Sequence, residues 1–253
     1  TSADMVVIAV PSHAVKQVTE QVKDYIRPGT IVVNVAKGFH QEGQKRLSEV
    51  IQSILPDNPV LVLSGPSHAE EVAINLPTTI VLAGKDDALL GKVQDIFMSN
   101  HFRVYTNHDI VGVEIGGAVK NVIAIATGVA QGLGLGDNAQ AALITRGLTE
   151  ITRLGVAMGA EADTFSGLAG LGDLVVTCGS RHSRNRRAGI EIGKGRPWNQ
   201  VLEDMGMVVE GVYATENTHK LAQQYGVEMP ITEQVYCMLY EGRSPKEAMW
   251  SLM

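Results

Sequence analysis

Between Met5 and Thr106, short apolar runs alternate with amphipathic stretches. Met5 to Val10, Thr30 to Val35, Val60 to Leu63, Thr79 to Ala83 and Phe102 to Thr106 read as strands. His13 to Ile26 reads as a helix that Ser12 can cap, with Val15, Val18, Val22 and Ile26 on one face. Further helices are expected from Gln44 to Leu55, ending before Pro56, from His68 to Asn75, stopping at Pro77, and from Asp87 to Ser99. Apolar strands alternating with amphipathic helices predict a parallel sheet covered on both faces. Beyond Asn107 strand signals become rare and helical periodicity takes over up to Leu252. The expected organisation is therefore an α/β unit over 1–107 and an all-helical unit over 108–253.

Composition narrows the function. The chain has 253 residues and 45% hydrophobic content, enough for a sizeable core. A net charge of −6 argues against a general nucleic-acid binder, though not against a phosphorylated small molecule held in a local basic pocket. The 2 cysteines, Cys178 and Cys237, suggest neither a disulfide framework nor a metal site, so no metal is expected. No charged-then-apolar leader opens the chain. The stretch Val119 to Ala130 reads as too short and too polar to span a bilayer. A cytoplasmic location without stable membrane insertion is expected.

Three strand ends carry unusual residues: Val10-Pro11-Ser12, Asn34-Val35-Ala36-Lys37-Gly38 and Ser64-Gly65-Pro66-Ser67-His68-Ala69. In open parallel sheets ligands sit beyond the carboxyl ends of the strands, so the three ends suggest one shared cleft, with Lys37 able to reach an anion at its mouth. Taken singly, each is ordinary loop punctuation. Lys120 stands in a nearly continuous apolar helix. Burial would lower its pKa and fit it to exchange a proton with a substrate oxygen near neutral pH; a Lys snorkelling to solvent is the bland alternative. Gly116 and Gly117 just before it cost roughly 1 kcal/mol each against Ala in a helix, which points to close packing or ligand approach.

Gly132 to Asn138 only superficially resembles a dinucleotide fingerprint, because it follows a helix; a turn ending in an Asp or Asn cap is expected. Asp173, among glycines and apolar residues, is a candidate partner for Lys120, or a helix cap. Arg181, Arg184, Arg186 and Arg187 lie at the start of a predicted helix, where main-chain amides and guanidinium groups make a phosphate site. Ser183, Arg184 and Asn185 are better placed for a ligand there than Arg186 and Arg187.

In order along the chain, VPSH, NVAKG, SGPSHAEE, GVEIGGAVKNVIAIATG, GDNAQAALITRGLTE, TFSGLAGLGDLVVTC, SRNRRAG and VVEGVYAT resemble the motifs of bacterial NAD(P)-dependent glycerol-3-phosphate dehydrogenases. The resemblance implies a Rossmann-type domain followed by a helical domain like the C-terminal one of 6-phosphogluconate dehydrogenases. It implies reversible reduction of dihydroxyacetone phosphate to sn-glycerol 3-phosphate for phospholipid synthesis. NAD(P)H is the implied cofactor, with NADPH preferred. By resemblance Lys120 is the catalytic proton acceptor in the oxidation, supported by Asp173. Lys37, Gly65, Ser67, Lys120, Asp173, Ser183, Arg184 and Asn185 line the substrate site, and Pro11, Lys37, Ala69, Arg184, Val208 and Glu210 match cofactor-contacting positions. A homodimer is left open.

The family's first strand, Gly-rich turn and helix are expected ahead of Thr1, about 70 residues for two βαβ units. A β-hydroxyacid or 6-phosphogluconate dehydrogenase is the competing enzyme, but those resemble a pattern with Asn four positions after the Lys, where this chain has Ala124. A non-catalytic fragment is the reading from another class.

Overall fold

A computed structural model of the chain describes residues 3–40 and 44–252. Among the described residues five strands form one sheet in the order β1-β2-β3-β4-β5. They are β1 (Met5–Ile8), β2 (Ile31–Asn34), β3 (Val60–Ser64), β4 (Thr78–Ala83) and β5 (Phe102–Asn107). Each is built from the β-branched and aliphatic run that marks it in the sequence. Between them lie α1 (Val15–Val22), α2 (Leu47–Ile54), α3 (Ala69–Ala73) and α4 (Asp87–Phe97). Ser12 does not cap the first helical segment: it opens a short 3-10 turn, Ser12–Ala14, and its side chain is engaged elsewhere.

The sheet is mixed, which corrects the expected all-parallel arrangement. β1, β2 and β3 are parallel, β3 and β4 are antiparallel, and β4 and β5 are parallel again. The connection explains the reversal. A parallel neighbour requires a crossover that carries the chain back along the whole strand. The 5 residues of α3 rise only about 7–8 Å, less than the ~17 Å of a five-residue strand. The 11 residues of α4 rise about 16 Å, and β5 is accordingly parallel to β4.

This reversal positions everything that follows. Because β5 runs opposite to β3, the chain leaves the sheet at the end away from the carboxyl ends of β1–β3. The next helix, α5 (Ile110–Gly132), must travel back along the sheet. Asp109 starts it by accepting from Gly112 N at 2.7 Å. Ten residues, about 15 Å of helix, bring Lys120 level with the carboxyl ends of β2 and β3.

The remaining elements are helical: α6 (Gly136–Ala157), α7 (Ala162–Ser166), a π-helical turn at Leu168–Gly172, α8 (Asp173–Gly179), α9 (Arg184–Gly193), α10 (Trp198–Met205), α11 (Glu210–Tyr225), α12 (Pro230–Tyr240) and α13 (Pro245–Trp250). The expected Asp or Asn cap of α6 is not made: Leu135 occupies the cap position, and Gly134 and Gly136 turn the chain with positive φ. α5 is the axis of this half. Every residue from Gly112 to Ala130 is buried, so its apolar surface is covered all round, as in a core helix. At 23 residues it is long and apolar enough to cross a membrane, contrary to the sequence-based expectation; what marks it as a core helix is its enclosure.

Candidate active site

α9 packs against α5 with almost no side chains between them. A Cβ on Gly189 would stand 2.3 Å from the Ile125 carbonyl oxygen, and one on Gly193 2.4 Å from that of Val129. One turn earlier the Asn185 amide donates to Asn121 Oδ1 at 2.8 Å and accepts from Gly211 N at 2.8 Å. The pairing 185–121, 189–125, 193–129 shows that α9 runs parallel to α5. Its N-terminus, with Ser183 capping by accepting from Arg186 N at 3.2 Å, is thereby set beside Lys120.

Lys120 is 6% exposed and donates to Oδ1 of Asp173, which is itself 1% exposed. Asp173 opens α8 and so sits at the positive end of that helix, where a carboxylate is favoured; it does not cap the helix, whose N-cap is Gly172. Its other oxygen accepts from Lys37 Nζ at 2.9 Å, and Lys37 also donates to the Gly65 carbonyl at 2.7 Å. One carboxylate thus serves two ammonium groups. Burial pulls Lys120 from the usual 10.5 down to about 7; Asp173 opposes the shift and the Lys37 charge adds to it. Gly65 holds φ 143°, and a Cβ there would meet the Ile80 backbone at 3.3 Å, so no side chain separates Lys37 from this carbonyl. A Cβ on Gly116 would lie 2.5 Å from the Ala169 carbonyl oxygen and one on Gly117 2.7 Å from Ser64 Oγ, so close packing accounts for both glycines.

The amine of Lys120 faces a cleft of about 710 Å³ between the sheet ends and the helical half. Ten of the sequence-predicted residues line it: Pro11, Lys37, Ser67, Ala69, Lys120, Ser183, Arg184, Asn185, Val208 and Glu210. Gly65 and Asp173 stand behind the wall and act through the two lysines. Ser67 turns its hydroxyl onto the Gly65 carbonyl at 3.0 Å. Arg184 is exposed and donates to the Val208 carbonyl at 3.0 Å. Glu210 accepts from Ser12 N at 3.2 Å and from Ser12 Oγ at 2.6 Å, which joins the end of β1 to α11 across the cleft.

Three side chains of this wall were not singled out from sequence. Ser12 reads from sequence as a helix cap, and His68 and His182 carry no signal of their own within the loop segments that hold them. Asn121 was noted only as the neighbour of Lys120; as a second polar residue in an apolar helix it carried the same signal. The network of Glu114 with Ser48 and Arg46 also went unread. Glu114 is 7% exposed and accepts from Ser48 N at 2.8 Å, Ser48 Oγ at 2.6 Å and Arg46 at 2.8 Å.

A cleft at the carboxyl ends of parallel strands, closed by a helical half that supplies a buried lysine of lowered pKa and the N-terminus of a helix, is the arrangement of a cofactor-dependent oxidoreductase. The family model "NAD-dependent glycerol-3-phosphate dehydrogenase N-terminus" matches residues 1–90, and the corresponding C-terminus model matches 109–250. The chain belongs to the NAD-dependent glycerol-3-phosphate dehydrogenase family.

Among its relatives is the glycerol-3-phosphate dehydrogenase [NAD(P)+] of Desulfitobacterium hafniense (strain Y51), 55% identical over 99% of this chain and 71% of that protein. The enzyme of the same name from Moorella thermoacetica is 56% identical over 99% of this chain and 75% of its own length. The crystal structure of glycerol-3-phosphate dehydrogenase from Coxiella burnetii superposes with a TM-score of 0.95 at 44% identity, covering 98% of this chain and 76% of that one. A ketopantoate reductase from Ralstonia eutropha, 12% identical with a TM-score of 0.60, shares the fold.

Proposed function

We propose that the protein catalyses reversible hydride transfer between NAD(P)H and dihydroxyacetone phosphate, forming sn-glycerol 3-phosphate for glycerophospholipid synthesis. The observation that carries this reading is the placement of the Lys120 amine and the N-terminus of α9 on one cleft, 6% and 3% exposed at Lys120 and Ser183. A three-carbon ketone phosphate spans the two. The main-chain amides of α9 and the Arg184 fork grip the phosphate, and this remote contact orients the carbonyl toward Lys120. Lys120 gives its proton to the oxygen as the alkoxide develops, and takes it back in the oxidation. Lys37 and Lys120 together place positive charge beside that oxygen, and Asp173 holds both amines in position.

The cleft wall suits the nicotinamide end of the cofactor. Pro11, Ala69, Val208 and Glu210, which line it, would hold the ring and its amide. When bound, the nicotinamide supplies the hydride. The two cofactors differ at a ribose 2′ position, away from these residues, and NADPH is taken as the preferred one from the family resemblance. On the same reading residues 1–107 form part of the cofactor half and 108–253 the substrate half, and the enzyme works in the cytoplasm with its two thiols reduced.

Steady-state reduction of dihydroxyacetone phosphate by the full-length protein, with NADH and with NADPH, tests the reading. Lys120→Ala should slow turnover by roughly 100-fold or more. A variant that melts early but keeps near-normal turnover per folded molecule would make Lys120 structural and overturn the mechanism.

A further inference from the structure

The turn after β3 brings a histidine to the cleft that the mechanism above does not use. His68 lines the cleft together with Ser67, Lys120 and His182. It is half-buried, its ring centroid is 6.0 Å from that of His182, and the two planes are tilted by 54°. Burial holds the His68 imidazole below its usual range; the Val176 main chain opposes this and the Lys120 charge adds to it. The ring is therefore neutral near neutral pH and carries one proton.

Among the described residues Nε2 has no hydrogen-bond partner, and it is shut off from solvent. With the ring's proton on Nδ1, Nε2 presents a bare lone pair and is an acceptor. A buried acceptor without a donor is costly and calls for an explanation.

The proposed substrate offers one. Around the ketone the site presents donors: two ammonium groups, the α9 amides and Arg184. Besides its carbonyl and phosphate, a triose phosphate has one terminal hydroxyl, which needs an acceptor. The acceptors beside the lysines are engaged, Glu210 by Ser12, Asn121 by Asn185 and the Gly65 carbonyl by Lys37 and Ser67, while Glu70 is exposed to solvent at the rim.

We propose that His68 Nε2 accepts a hydrogen bond from the non-reacting terminal hydroxyl of the ketone phosphate, and so selects dihydroxyacetone phosphate over ketone phosphates that lack this hydroxyl. The proposal rests on the activity inferred above. Nε2 is covered in this structure, so admitting the hydroxyl requires neighbouring side chains to shift.

The test compares dihydroxyacetone phosphate with hydroxyacetone phosphate, which keeps the ketone and the phosphate but has a methyl group in place of the hydroxymethyl group. Wild-type full-length protein should prefer the former by at least about 100-fold in kcat/KM, because a site built around a hydroxyl rejects its deoxy analogue. His68→Phe keeps the ring volume and removes the acceptor. It should reduce that preference to within roughly tenfold, chiefly through loss on dihydroxyacetone phosphate. His68→Gln, whose amide oxygen reaches the Nε2 position, should restore most of the preference, with melting temperatures of both variants confirming the fold. Equal losses on both ketones in His68→Phe, or an undiminished preference, would overturn the role of His68. A wild-type protein that reduces neither ketone would instead remove the activity itself, and the proposal with it.

Discussion

Lys120 shows how a residue type acquires chemistry from its surroundings. The lysine was legible in the sequence as the one ionisable side chain between Ile115 and Ala126, but its tuning depends on Asp173 and Lys37, which lie 53 and 83 positions away. With its pKa at about 7, the protonated amine is the proton donor for ketone reduction in the proposed mechanism. The kcat/KM for reduction should therefore fall as pH rises through that value, and glycerol phosphate oxidation should gain on the same limb. A pH profile of both directions checks this; a flat reduction profile from pH 6 to 9 would contradict it. The stability term has a definite sign. The unfolded lysine titrates near 10.5 and the folded one near 7, so between these values the unfolded chain binds the extra proton, and stability from this group rises with pH across that window. Arg184→Ala should raise the KM for dihydroxyacetone phosphate, with a cost of about 1.5–3 kcal/mol for one charge-assisted contact. The effect should shrink for unphosphorylated dihydroxyacetone, and equal losses on both would assign Arg184 to the fold or the cofactor.

At the scale of elements, strand and helix identities followed from periodicity, while their directions did not. The apolar run of β4 looks the same whichever way it runs, and the antiparallel β3–β4 pair depends on the length of the connection. Likewise, nothing in the glycines at 128, 132, 189 and 193 reveals that two helix backbones touch. That contact nonetheless sets the N-terminal end of α9 beside Lys120. Gly189→Val places a branched side chain where a Cβ already stands 2.3 Å from the Ile125 carbonyl oxygen and 3.0 Å from Gly128 Cα. Backbone has to move, so the substitution should destabilise by about 1–3 kcal/mol. It should also raise the KM for the phosphorylated ketone more than that for dihydroxyacetone. Denaturant melts with paired kinetics would show it; loss of stability with unchanged discrimination would mean that α9 keeps its position by other contacts.

At the scale of the whole molecule, the sheet half and the helical half are joined by buried polar contacts as well as by apolar ones. Glu114 on α5 receives both donors of Ser48 at the start of α2 and the Arg46 guanidinium. Burial raises its pKa, with Arg46 and Ser48 opposing. Glu114→Ala leaves a buried main-chain amide, a hydroxyl and a half-buried arginine without this acceptor. It should cost about 2–4 kcal/mol of stability, read as a lower urea midpoint, and turnover per folded molecule should change far less than in Lys120→Ala. A midpoint within error of wild type would show that the network adds nothing to the joint.

The sequence by itself determined the alternation of strands and helices, the change of character after Asn107 and the residues carrying reactive groups, because each is a local property of spacing and residue type. Only the tertiary structure decided that Asp173 bridges Lys37 and Lys120, that Asn185 meets Asn121, that Glu210 reaches Ser12 across 198 positions, and that His68 Nε2 is buried without a partner among the described residues. Those relations depend on which way each strand runs and how closely two helices approach, and both are set by connection lengths and backbone contacts between segments far apart in the chain.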